Sequence, residues 1–178
     1  MSTATADYGI DTEAGAIRFE RLLPGPIERV WEYLTDSDKR ATWLASGDMD
    51  LRPGGAMELT WHNSQLARPD ETTPERFAQY EGASMKGRII RAEPPRLLVH
   101  SWDEDAEVSY ELAERGDKVL LTLTNRKLPN RAEVVGVAGG WHSHLEMLAA
   151  RLEGREGPRF WDLVERVERE YEQRVPAE

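Results

Sequence analysis

The segment His142-Ser143-His144 contains two histidines close together, and histidine side chains can bind a metal ion or exchange a proton. In a helix, residues i and i+2 point in nearly opposite directions, so these two histidines cannot share one ion. His142 and Glu146 share a face, but two ligands are too few for a structural or catalytic metal site. We therefore predict no metal and no cofactor, and we interpret the pair as part of a solvated helix face.

Covalent catalysis has little support in the residues. The chain contains no cysteine, which excludes disulfides, thiolate metal sites and cysteine nucleophiles. It has no G-x-S-x-G nucleophile elbow, and its glycine pair at 54–55 lacks the lysine and helix of a phosphate loop. The acidic run at 103–105 is most simply a solvated hairpin turn. No residue is assigned a catalytic role, and enzymatic activity is the less favoured interpretation.

Aromatic and histidine side chains offer a different chemistry, which is the binding of a small molecule. Several of them fall on predicted strands or on the apolar stripe of a predicted helix, where they either pack the core or line an apolar pocket with a few polar groups. His100 and Trp102 share strand parity and therefore face the same way. The predicted ligand-binding residues are Trp61, His100, Trp102, Tyr110, Trp141, His144, Leu145 and Leu148.

Hydrophobic periodicity predicts the elements that position these residues. Alternation of apolar and polar residues predicts strands, and apolar spacings of three and four predict helices. The segment 63–83, rich in proline and charge, is interpreted as a long excursion with one helical turn. Predicted strands are 16–23, 57–61, 85–92, 97–102, 108–112 and 119–123, and predicted helices start at Pro26, near Thr35, at Arg131 and after Pro158.

The charge and hydropathy of the chain exclude some classes of partner. It has 33 acidic and 23 basic residues, for a formal charge of −10. This charge repels a phosphate backbone, so nucleic acid is not an expected partner. No stretch approaches the roughly 20 apolar residues of a membrane span, so we expect no membrane insertion. The polar start, Met1 to Ile10, does not read as a secretory signal, and the expected location is the cytoplasm.

Short motifs from residue 16 to residue 154 resemble one family when they are taken in order. The chain resembles the START-like, or SRPBCC, superfamily, within the branch of homologues of the activator of the heat-shock protein 90 ATPase. Asn125 stands where many relatives place a histidine, so no role for that histidine is transferred. The matching motifs are Pro26 to Trp43, Pro53-Gly54-Gly55 with Met57-Glu58-Leu59, Glu93 to Leu97 with Trp102, Leu121 to Thr124, and Gly140-Trp141 to Gly154.

This resemblance implies an α+β helix-grip fold. In that fold a curved antiparallel sheet of about seven strands wraps around a long C-terminal helix, with two short helices after the first strand and a cavity between sheet and helix. The expected organisation is a flexible N-terminal tail over 1–14, a START-like domain over 15–154, and an additional helix over 155–178 packed on the same domain. A homodimer through this last helix is the minority interpretation.

Three functions are compatible with this fold, because a fold does not determine an activity. The first is binding of a small apolar or aromatic ligand in the cavity. The second is a cyclase or isomerase that uses tyrosine and histidine as acid and base. The third is a partner-binding protein that acts with a chaperone or under stress, which rests on the family name alone.

Overall fold

A single antiparallel sheet of seven strands forms the framework of the protein, and a computed structural model describes it for residues 7–177. The strand order is β1-β2-β7-β6-β5-β4-β3, and consecutive strands from β3 to β7 are neighbours. The predicted α+β helix-grip fold is confirmed. The strands are β1 (Ile10–Glu13), β2 (Ala16–Pro24), β3 (Ala56–Thr60), β4 (Ser84–Glu93), β5 (Leu97–Trp102), β6 (Ala106–Arg115) and β7 (Lys118–Arg126).

The first strand corrects one expectation. Residues 10–13 are placed in a flexible tail by the sequence analysis, whereas the structure pairs them with β2 as β1. All four side chains of β1 are exposed, so no apolar alternation marks the strand. Its pairing depends on main-chain hydrogen bonds to β2, which a sequence pattern does not report. The part of the predicted tail over 1–6 lies outside the described residues.

Five helices complete the fold. The predicted pair after the first strand is present, and Asp36 caps the second of these helices by accepting a hydrogen bond from the Lys39 N–H at 2.9 Å. The predicted excursion contains two short helical segments, a 3-10 turn over Asn63–Gln65 and a helix over Glu75–Ala78, where one helical turn was predicted. The helices are α1 (Ile27–Thr35), α2 (Ser37–Ala41), α3 (Glu75–Ala78), α4 (Arg131–Glu153) and α5 (Phe160–Arg174).

The long helix α4 lies between the concave face of the sheet and α5. Its bounds match the predicted ones, because Asn130 caps its first turn and Gly154, with φ of 69°, ends it in the left-handed region that glycine favours. Fourteen of its 23 residues are buried, so α4 has no broad solvent face. Within residues 7–177, no helix is both long and apolar enough to cross a membrane.

Candidate functional site

The ends of β3 and β5, the residue Trp61, the excursion 63–83 and the first half of α4 enclose a solvent-accessible groove. It consists of two adjoining depressions of about 400 and 330 Å³. Four residues line both depressions: Trp61, Tyr80, Trp102 and His144. We call this feature the aromatic groove. Its volume falls within the range of small-molecule sites in proteins.

Tryptophan rings form one continuous wall of the aromatic groove. The ring centres of Trp61 and Trp102 lie 6.0 Å apart at 82°, and those of Trp102 and Trp141 lie 5.4 Å apart. The indole N–H of Trp141 donates a hydrogen bond to Oδ1 of Asn125 at 3.0 Å. The side-chain amide of Asn125 donates in turn to the Glu107 carbonyl, so a fully buried amide holds the Trp141 ring in place.

Two glycines of α4 form the floor of the aromatic groove. Gly136 and Gly140 line it, and a Cβ atom added at either would meet nothing within 4 Å. Each glycine in a helix interior costs about 1 kcal/mol relative to alanine. The space above α4 therefore exists because two side chains are missing, at a cost in helix stability.

His144 presents a hydrogen-bond acceptor to the groove. Its Nδ1 lies 2.8 Å from the carbonyl oxygen of Trp43, which can only accept, so Nδ1 carries the proton. Burial lowers the pKa of His144 to about 4, so the ring is neutral at pH 7. Among the described residues Nε2 has no hydrogen-bond partner, and it is the ring nitrogen left to meet a ligand.

Four of the eight predicted ligand-binding residues do not line the aromatic groove. His100 and Tyr110 lie beneath it, where the Tyr110 hydroxyl donates to Nε2 of His100 at 3.0 Å and Nδ1 of His100 donates to the Ser101 carbonyl. Leu145 and Leu148 are buried in the core against the sheet. The other four, which do line it, are Trp61, Trp102, Trp141 and His144.

The pair His100 and Tyr110 is closed to solvent. Both side chains are buried, and burial lowers the pKa of His100 to about 4 and raises the pKa of Tyr110. A neutral histidine whose two nitrogens are both bonded, next to a protonated tyrosine, has no proton to exchange with a ligand in the groove.

His142 corrects the prediction of a solvated helix face. Its ring is buried between β2 and α5, and its Nδ1 lies 2.9 Å from the Tyr171 hydroxyl. That hydroxyl also accepts a hydrogen bond from the Gly9 N–H at 2.7 Å. Residues i and i+2 of α4 thus serve opposite sides of the helix: His144 faces the aromatic groove, and His142 anchors α5.

The excursion forms the outer wall of the groove and rests on α5. Phe77 stacks on Trp161 with ring centres 5.2 Å apart at 21°, while Tyr80, which is 56% exposed, lies at the rim. Both carboxylate oxygens of Glu71 accept hydrogen bonds from the first N–H groups of α5, those of Phe160 and Trp161. A side chain of the excursion therefore caps the helix that supports it.

Replacing Glu71 with alanine should release this support. We expect the Glu71→Ala variant to lose about 1–2 kcal/mol of unfolding free energy, because the N–H groups of Phe160 and Trp161 at the helix N-terminus, and that of Arg68, lose a charged acceptor. Urea denaturation measures the loss. Glu75→Ala is the matched control, since Glu75 is exposed in the same excursion and makes no hydrogen bond or ion pair in the described structure. Equal stability of the two variants would contradict the cap.

Several residues that shape the groove escaped the sequence analysis. Asn125 was noted only as a departure from relatives, although it holds Trp141. Arg40, which is 1% exposed, donates to the carbonyls of Leu34, Thr35, Ala45 and Gly47 and so holds the loop that carries the Trp43 carbonyl. A buried arginine in a polar helix has no sequence signal. The glycines at 136 and 140 were a usable signal, because glycine is rare in helix interiors.

Comparison with known proteins places this geometry in a family. The family model described as "Activator of Hsp90 ATPase homolog 1-like protein" matches residues 24–153. No curated protein matches the chain. The α5 helix and the β1 strand lie outside the matched range.

Solved structures show the same fold. A Bordetella parapertussis protein solved by NMR is 45% identical, with a TM-score of 0.82, over 96% of this chain and 91% of that one. The protein CalU16 from Micromonospora echinospora is 25% identical, with a TM-score of 0.67, over 93% and 91%. An Enterococcus faecalis protein of unknown function shares the fold at 16% identity and a TM-score of 0.71, over 97% and 91%. The chain belongs to the family of Activator of Hsp90 ATPase homolog 1-like proteins, as its motifs predicted.

Proposed function

We propose that this protein binds a small apolar or aromatic ligand in the aromatic groove. The observation that carries the proposal is the floor at Gly136 and Gly140, where α4 lacks side chains in a groove that tryptophan rings also line. Gly136 is exposed and Gly140 is half-buried, so larger side chains would fit at both positions. Glycine there reduces helix stability and leaves the surface beside the tryptophan rings open. We also propose that the protein acts in the cytoplasm.

Filling the groove from its floor tests this function. We expect Gly140→Leu to weaken binding of 2-(2-naphthyl)ethanol at least about tenfold, because the new side chain occupies the space of the ligand. Isothermal titration calorimetry measures the affinity. Gly140→Ala is the matched control: it should bind nearly as well as the parent protein and be more stable by about 1 kcal/mol.

The outcome of this experiment separates binding from simple packing. If the parent protein gives no binding heat and no amide chemical-shift changes around Trp61 and Trp102 with a panel of neutral aromatic compounds, the proposal is wrong. If Gly140→Leu binds as well as Gly140→Ala, the ligand lies elsewhere.

The alternatives have weaker support. The cyclase or isomerase alternative named Tyr110, His100 and His144 as its acid and base groups. Tyr110 and His100 lie beneath the groove with their hydrogen bonds satisfied by each other and by Ser101, so of the three only His144 lines the groove. A chaperone partner still rests on the family name and stays a prediction, as does a homodimer through α5.

A further inference from the structure

Charged side chains around the aromatic groove are of one sign. Glu81 and Asp103 line one depression, and Glu133 lines the other. Among the described residues that line the groove, none is a lysine or an arginine. A basic side chain of the adjoining surface, Lys127, is paired with Glu107 at 3.4 Å. The surroundings of the groove therefore favour a cation over an anion.

The Glu81 carboxylate is held in place at the groove. It accepts hydrogen bonds from the Ser64 N–H at 3.1 Å and the Ser64 hydroxyl at 2.8 Å, and Nδ1 of His62 lies 3.3 Å away. A carboxylate fixed in this way needs little reorganisation when a cation approaches. The positive end of the α4 dipole, which would attract an anion, is offset by Glu133 in its first turn and by the Asn130 cap.

His144 supplies an independent observation that points to a hydrogen-bond donor on the ligand. Its side chain is nine-tenths buried and lines both depressions, with Nε2 unpartnered in the described structure. Nε2 carries a lone pair because Nδ1 donates to the Trp43 carbonyl. A ligand N–H or O–H can satisfy this acceptor, whereas a carboxylate has no proton to donate.

We infer that the preferred ligand class of the aromatic groove is an arylalkylammonium cation, which is an aromatic body that carries a protonated alkylamine. The body lies against the Trp61 and Trp102 rings, whose faces attract cations. An ammonium N–H donates to Nε2 of His144, and Glu81, Asp103 and Glu133 balance the charge. This inference rests on the proposed function and adds the charge and the polar group of the ligand.

A matched series of probes tests the inference. The series is 2-(2-naphthyl)ethylamine, 2-(2-naphthyl)ethanol, 3-(2-naphthyl)propionate and 2-ethylnaphthalene, which share one aromatic body. At pH 7 and low ionic strength, we expect the amine to bind about tenfold more tightly than the alcohol. The propionate should bind more weakly than the alcohol, and the advantage of the amine should shrink as salt is added.

Two kinds of variant separate charge from hydrogen bonding. Asp103→Asn and Glu133→Gln should weaken binding of the amine more than binding of the alcohol, and so reduce the ratio of amine to alcohol affinity. Glu104→Gln is the matched control, because it removes the same charge from a residue next to Asp103 that does not line the groove. His144→Phe should weaken binding of the amine and of the alcohol more than binding of 2-ethylnaphthalene, which donates no hydrogen bond. Circular dichroism checks that each variant is folded.

Each outcome decides between the two proposals. If the alcohol binds and Gly140→Leu blocks it, but the amine binds no better or the propionate binds best, the groove is a ligand site and the inference about charge is wrong. If no member of the series binds, the proposed function fails and the inference fails with it. If His144→Phe folds and binds all probes as the parent does, Nε2 is not the acceptor.

Discussion

Acidification from pH 6.5 to pH 4 should unfold this protein, because three histidine rings are buried in the neutral state. The side chains of His100, His142 and His144 are all less than 7% exposed. Burial lowers the pKa to about 4 for His100 and His144 and to about 3 for His142, from an ordinary value of 6.5. The nearby Arg21, Arg166 and Arg174 lower the pKa of His142 further.

The sign of the effect follows from proton uptake. Between pH 6.5 and pH 4 the unfolded chain protonates these three rings and the folded chain does not, so the free energy of unfolding falls as the pH falls. Each ring should contribute about 3 kcal/mol over this range. The sum is comparable to the whole stability of a typical domain, which is roughly 5–15 kcal/mol. The stability is fully present above pH 6.5.

Urea denaturation as a function of pH measures this loss. Near pH 5 we expect a slope approaching about 4 kcal/mol per pH unit, the value for three protons. His142→Phe should reduce the slope by about a third, because one of the three buried rings is then absent. Ion-paired carboxylates such as Asp70, whose pKa is lowered by its hydrogen bond to Arg159, act at lower pH. A stability that is flat from pH 6.5 to pH 5 would contradict neutral burial.

Removing the charge of Glu146 should destabilise the protein, and removing the charge of Arg21 should not. Arg21 points from β2 toward α4 and is 6% exposed, and its guanidinium lies 3.7 Å from the Glu146 carboxylate, which is 27% exposed. Its Nε and one terminal nitrogen have no hydrogen-bond partner among the described residues. Arg21 is therefore a buried cation whose lost hydration is only partly replaced by hydrogen bonds and by its ion pair.

The two single variants have different costs because the two partners differ in burial. Glu146→Gln leaves a buried arginine without its counter-ion, and we expect a loss of about 2–3 kcal/mol, less than for a fully buried pair because Glu146 is partly hydrated. Arg21→Met keeps the volume and removes the charge, and Glu146 stays partly in water. We expect it to be neutral or stabilising by about 1–2 kcal/mol.

Chemical denaturation of both variants and of the double variant completes the cycle. Arg21→Met should also rescue the stability of Glu146→Gln. In the double variant the buried arginine, which Glu146→Gln leaves without a counter-ion, is absent. Glu32→Gln is the control for loss of an exposed ion pair, here with Lys39, and should change stability by no more than about 1 kcal/mol. A large loss in Arg21→Met would show that the pair contributes net stability.

Local periodicity determined most of the secondary structure of this protein. The alternation in β2 and in β5 to β7, and the apolar spacing of three and four in α4, are each encoded within a few residues. The predicted helix 131–153 coincides with α4 because both of its caps, Asn130 and Gly154, are local signals. Arg21 interrupts the apolar alternation of β2 and yet faces the core, because its guanidinium forms an ion pair with Glu146, which is 125 positions away.

The candidate site depended on contacts that no local pattern reports. The sequence by itself determined which residue types were available: the tryptophans, the histidines and an acidic excess. Only the tertiary structure decided that Trp61, Trp102 and His144 line one groove while His100, Tyr110, Leu145 and Leu148 lie in the core. Periodicity reports which face of an element is apolar, but the depth at which a residue lies on that face depends on strand register and on packing between distant segments.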